Sequence, residues 1–151
     1  LDLAGSMDLV FSPFMDVKEF PKDVDIALVE GAVANTDHLR MLQIVRERSD
    51  ILVAFGDCAV TGNVTALRNP FGGPLPVLRR SYGSEPGRFP GEAGFRAVVP
   101  ALTERVTSLR GQVRVDYYLP GCPPPADLIH FVLTELVAGR PLDLRSRATL
   151  G

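Results

Sequence analysis

Apolar residues fall into two kinds of run along this chain. One kind is short, continuous and rich in β-branched residues. It comprises Asp8–Ser12 (Asp-Leu-Val-Phe-Ser), closed by Pro13; Val24–Val29, ending at Glu30-Gly31; Ile51–Phe55; and Val113–Leu119. Continuous runs of this length suit strands covered on both faces, as in a parallel sheet.

The other kind recurs at helical spacing. Leu39, Leu42 and Val45, with Ile44 beside them, form the stripe of one helix. Asn35 or Thr36 can accept the free N–H groups of its first turn, Asp37 lies near the positive end of its dipole, and Arg46 and Arg48 lie near the negative end. Leu128, Ile129, Val132, Leu133, Leu136 and Val137 form the stripe of a last helix. It opens near Pro124 or Pro125 and stops at Gly139. Ala93–Leu109 reads as a further helix, with Pro100 kinking it or starting a new first turn and Gly111 ending it. A short helix over Ala59–Arg68 is expected, weakened by Gly62, and residues 14–23 read as a connector. Between Asn69 and Gly91 proline and glycine cluster into a long irregular connection, a type that is often functional or partner-facing.

Strands alternating with helices predict βαβ units, a parallel sheet and right-handed crossovers. Four strands are visible. The chain opens at Leu1 rather than Met, so a preceding segment carrying a fifth strand is expected. The fold class expected is α/β: a flavodoxin-like, doubly wound parallel sheet of four to five strands with helices on both faces, in one domain over residues 1–151. In such sheets ligands bind beyond the carboxyl ends of the strands. Three loops fall there: Glu30-Gly31-Ala32, Gly56-Asp57-Cys58 and Pro120-Gly121-Cys122.

Composition narrows the picture. The 151 residues suffice for one core, and the apolar share of 46% and charged share of 23% are ordinary for a globular protein. The net charge of −2 comes without a dense basic run, which argues against nucleic acid or an anionic membrane surface as main partner. No apolar stretch reaches the ~18 residues of a membrane helix, and no signal peptide is visible.

The candidate chemistry rests on the only two cysteines, Cys58 and Cys122. Two are too few for a disulfide-stapled fold or for a complete four-thiolate site. The predicted fold brings them to one edge of the sheet although 64 positions separate them. An iron–sulfur cluster needs thiolates converging from several loops, with backbone N–H groups turned toward its sulfurs. Gly56 and Gly121 would let the backbone approach such a core, and Pro123 fixes the chain's exit. The plain alternative is that both cysteines pack as small hydrophobes. Zinc is disfavoured because neither cysteine has a close Cys-x₂₋₄-Cys partner. His38 and His130 fall on helices, away from the strand ends. Glu30, at a strand end, would accept hydrogen bonds from the loop amides or bear on proton or electron transfer at the site, or simply hold the loops together. Asp57 reads as a cap of the short helix after it. No dinucleotide or phosphate-binding loop and no Ser/His/Asp arrangement is present.

Taken together, Gly56-Asp57-Cys58-Ala59, Pro120-Gly121-Cys122-Pro123-Pro124 and Val29-Glu30-Gly31-Ala32 resemble the small subunit of [NiFe] hydrogenases. The stretch Pro124–Ile129 and the segment Gly56–Asn69 are most similar to the NAD-reducing (bidirectional) type, and the resemblance runs from Asp8 to Pro141. It implies a proximal [4Fe-4S] cluster, with Cys58 and Cys122 as two of its ligands and two more in a Cys-x-x-Cys loop expected before Leu1. It implies as partners a nickel–iron large subunit and diaphorase subunits bearing NAD, FMN and Fe–S sites, and it implies a cytoplasmic location. It also admits FMN in this chain, for which the sequence assigns no residues. Two other readings stay open: the related cluster-bearing subunit of a complex I-type quinone oxidoreductase, and a non-redox flavodoxin-like binding module.

Overall fold

The computed structural model describes residues 2–83 and 99–144. A short 3-10 turn, Asp2–Gly5, precedes an extended segment that leads into β1 (Val24–Glu30). After it come β2 (Val33–Asn35), α1 (Thr36–Glu47), β3 (Ser49–Phe55), α2 (Asp57–Thr61), a 3-10 segment (Asn63–Phe71), α3 (Pro74–Tyr82), β4 (Leu102–Thr107), a 3-10 turn (Leu109–Gly111), β5 (Tyr117–Leu119) and α4 (Ala126–Val137).

Among the described residues β1, β3 and β5 form a parallel sheet in the order β1-β3-β5, and β2 and β4 form a separate antiparallel pair. The register sets Glu30 beside Phe55 and Phe55 beside Leu119. All three strands therefore end level, and the loops that follow them share one edge.

The alternation of β3 explains why helices cover both faces. Leu52 and Ala54 enter a core with Leu42 and Val45 of α1 and Ala59 of α2. Val53 enters a second core with Leu119 of β5 and Leu128, Val132 and Leu136 of α4; Ile51 and Phe55 pack against it. Successive side chains of a strand point to opposite faces, so a continuous apolar run is what a doubly covered strand requires.

The amino side of the sheet is closed by a polar network. Arg46 donates to Asp116 Oδ2 at 2.6 Å, to Asp50 O at 2.9 Å and to Ser49 O. Asp116 exchanges bonds with β3: its Oδ2 accepts from Leu52 N at 2.9 Å, and its own N–H donates to Leu52 O at 2.9 Å. The Asp116 and Arg46 side chains are only 16% and 21% exposed. Burial pushes the Asp116 carboxyl up, but the Leu52 N–H, the bond from Arg46 and the charges of Arg46 and Arg114 outweigh it and hold the group below its ordinary value.

Several expectations are corrected. Asp8–Ser12 is not a strand: Leu9 and Val10 are exposed, and Phe11 instead packs edge-on against Phe20 at 5.2 Å. The outer edge of β1 carries no strand among the described residues, so this run has nothing to pair with. The helix expected over Ala93–Leu109 is replaced at Leu102–Thr107 by β4, followed by a 3-10 turn; residues 93–98 lie outside the described part. Thr103, Val106 and Thr107 are β-branched, and pairing with β2 decides between two periodicities that a short segment cannot distinguish.

The helix expected over Ala59–Arg68 ends at Thr61, because Gly62 takes a left-handed conformation (φ 93°). The connection expected over 69–91 contains α3, opened by Pro74 in its first turn; residues 84–91 lie outside the described part. Of the strand expected over Val113–Leu119 only Tyr117–Leu119 pairs, since the Asp116 carboxylate takes the Leu52 N–H.

Candidate metal centre

The two cysteine loops leave the sheet in step. Phe55 and Leu119 are register partners, and each cysteine lies three residues beyond its strand end. The pairing continues into the loops. Gly56 N donates to Leu119 O at 2.7 Å, Asp57 N donates to Gly121 O at 2.9 Å, and Gly121 N donates to Asp57 Oδ1 at 2.6 Å. The structure thus ties Gly56-Asp57-Cys58 to Leu119-Pro120-Gly121-Cys122 by three hydrogen bonds.

Beyond this point the chains diverge. The first turns into α2, where Val60 N reaches Gly56 O at 3.1 Å and Gly62 N reaches Cys58 O at 2.9 Å. The second enters a proline run through a cis Cys122–Pro123 peptide. Gly121 has φ 129°, and a Cβ there would lie 2.5 Å from Pro124 Cα, so the close approach of the backbone to itself admits glycine alone. Gly56 has φ 84° and its missing Cβ would face Gly121 O.

Neither thiol is in a disulfide; Cys58 is half-buried and Cys122 exposed. Two thiols on adjoining glycine-flanked loops are the kind of donor that a soft metal centre uses. Among the described residues no group of three or more His, Cys, Asp or Glu stands together as a metal ion would need.

The other expected residues fall as follows. Glu30 stands at the same sheet edge, in register with Phe55, but it is exposed and its carboxylate accepts no hydrogen bond from either loop among the described residues. His38 belongs to the start of α1, where its N–H donates to the capping Asn35 side chain at 2.8 Å and its Nδ1 accepts from Ala34 N at 3.4 Å. His130 is exposed on α4.

Asp57 is the residue that sequence reasoning misjudged. It does not cap α2, whose N-cap is Gly56 with no side-chain bond; its carboxylate crosses to the other loop. The signal lay in the constant offset of 64 positions, which relates Asp57 to Gly121 as it relates Cys58 to Cys122 and Leu52 to Asp116.

The segment following Cys58 is fixed to the β2–β4 pair. Asn69 accepts from Val106 N at 2.7 Å and donates to Val106 O at 2.9 Å, as a neighbouring strand would. Arg68 donates to Thr103 O at 2.7 Å and Ala34 O at 3.0 Å. Burial holds the Arg68 guanidinium below its ordinary value, against the opposing charge of Glu104.

Fold and site define a doubly wound, flavodoxin-like α/β protein with paired thiols beyond the carboxyl edge of its sheet. The model of one family, described as NADH ubiquinone oxidoreductase, 20 Kd subunit, matches residues 1–136, and the chain belongs to that family.

Among its relatives is the NAD-reducing hydrogenase HoxS subunit delta of Cupriavidus necator, 38% identical over 149 residues, a match covering 97% of this chain and 71% of that protein. One component of the vhu F420-non-reducing hydrogenase of Methanococcus voltae is 32% identical over 145 residues, with 95% of this chain and 50% of that protein covered. The chain therefore spans about half the length of the latter. In the crystal structure of an NAD+-reducing [NiFe]-hydrogenase in the H2-reduced state, one chain superposes with a TM-score of 0.86 at 36% identity, covering 98% of this chain and 83% of that one. The resemblance drawn from the two cysteine loops is borne out. No helix among the described residues is long and apolar enough to cross a membrane.

Proposed function

We propose that this chain is the electron-relay subunit of a cytoplasmic, NAD-reducing [NiFe] hydrogenase, with Cys58 and Cys122 as two of the four ligands of a [4Fe-4S] cluster. The observation that carries the reading is the register of the two thiols, each three residues past a paired strand end and on loops bonded to each other. When bound, such a cluster takes up and passes on one electron at a time. The chain's own contribution is to hold the two thiolates at a common edge. Gly56 and Gly121 keep side-chain atoms out of the approach, with Glu30 at the rim. The partners in this reading are a nickel–iron large subunit, where hydrogen reacts, and a diaphorase module that reduces NAD. The hydrogenase names of the relatives support that choice.

The test uses the anaerobically purified complex. Iron and nickel content, the low-temperature EPR signal of the reduced state and H2-dependent NAD reduction are measured for the wild type and for Cys58→Ser and Cys122→Ser. Each substitution is expected to lower iron in this subunit and abolish its EPR signal. Full iron and full electron transfer in both variants refute the ligand roles. The family's description favours one second reading, electron delivery to a quinone; H2-independent quinone reduction by a nickel-free complex would establish it instead. Flavin retained by this chain after separation from its partners decides whether FMN is carried here.

A further inference from the structure

We infer that Asp57 is a positioning residue for the cluster: its carboxylate clasps the second cysteine loop and thereby sets how Cys58 and Cys122 stand relative to each other. The inference rests on the ligand reading above and goes beyond it, since Asp57 is neither a ligand nor a cap.

Three observations carry it. The backbone ladder between the loops runs out after Asp57 N reaches Gly121 O; the Asp57 side chain adds the next bond, Gly121 N to Oδ1 at 2.6 Å. A single residue thus grips both the N–H and the C=O of Gly121. In the run 120–125 the four prolines have no N–H, which leaves Gly121 and Cys122 as the only backbone donors. With the Gly121 N–H held by Asp57, the Cys122 N–H is the one backbone donor of this run that the clasp does not engage. Finally, Asp57 and Gly121 each immediately precede a cysteine. A shift at the clasp is therefore passed directly to both thiols. A hydrogen bond to a carboxylate is among the stronger kinds, suited to holding a loop that lacks ladder partners.

The carboxylate also places a negative charge next to the centre. Removing that charge favours the electron-rich form and raises the reduction potential. Asn keeps the accepting oxygen and loses the charge; Ala loses both. The two variants therefore separate position from charge.

The experiment compares Asp57→Ala and Asp57→Asn with wild-type complex and with Cys58→Ser. Three readouts are taken: the rate of iron release to a chelator, the line shape of the reduced EPR signal, and the midpoint potential. Asp57→Ala is expected to release iron about tenfold faster or more, the size typical of lost outer-sphere partners, and to alter the line shape. Asp57→Asn is expected to keep wild-type iron release and line shape while its potential rises. The inference is overturned if Asp57→Ala matches wild type in release rate and line shape while Cys58→Ser loses iron. It is also overturned if Asp57→Asn fails as Asp57→Ala does. Should Asp57→Ala not assemble, Asp57→Asn decides alone: wild-type iron release and line shape, with the accepting oxygen kept, support the clasp, and faster release or an altered line shape overturns it. Retention of full iron in Cys58→Ser would instead defeat the ligand reading itself, so the two failures are told apart.

Discussion

The two sides of the parallel sheet are built on opposite plans. On the amino side, Arg46, Asp116 and the backbone of Ser49, Asp50 and Leu52 satisfy one another, and little is left for an outside partner. On the carboxyl side, the loops are joined by three hydrogen bonds around Gly56, Asp57 and Gly121, and the thiols beside them are left open. One side uses its polar groups to hold the strands together; the other joins two cysteine-bearing loops by a few bonds. The buried ion pair and the two cysteine loops thus lie at separate ends of the same three strands.

Substitutions can break this contrast at either end. The largest effect is expected at Gly121→Ala. The new Cβ would overlap Pro124 backbone at 2.5 Å with φ 129°, a cost of about 3 kcal/mol. Chemical denaturation measures it, and an unchanged midpoint would show that the second cysteine loop is looser than its geometry implies.

Asp116→Ala comes next. It strips Arg46 and Leu52 N–H of a partner in a largely buried setting, at a cost of about 2 kcal/mol. Because the native carboxyl lies below its ordinary value, its contribution is complete above the usual aspartate range and is lost as pH falls through the depressed native value. Wild type should therefore lose stability on acidification more steeply than the variant, and parallel stability–pH curves would contradict this.

The smallest effect is expected away from both ends. Asn35→Ala removes the side-chain cap of α1, worth about 1 kcal/mol. It should leave the thiols' reactivity toward alkylating reagents unchanged, whereas Gly121→Ala should alter it at Cys122.

What the sequence disclosed and what it hid follow from the range of the interactions involved. β1, β3, α1 and α4 were legible because their patterns are local: a β-branched run, or a stripe at helical spacing with a cap such as Asn35. β4 was not, because Leu102–Thr107 becomes a strand only by pairing with Val33–Asn35 across a long gap. Asp8–Ser12 has strand composition and no neighbour, and a strand is a property of a pair. At the candidate site the cysteines and glycines were legible from type and placement. The second role of Asp57 was not, because it depends on the exact register of β3 against β5.

The divided side chains of β3 have a consequence for how the chain comes apart. Leu52 and Ala54 are shared with α1 and α2, and Val53 with α4 and β5. Neither core can melt while the other stays whole, because both lose the same strand. Unfolding is thereby made cooperative across the sheet, and the two thiols, hung from β3 and its neighbour β5, are released together rather than one at a time.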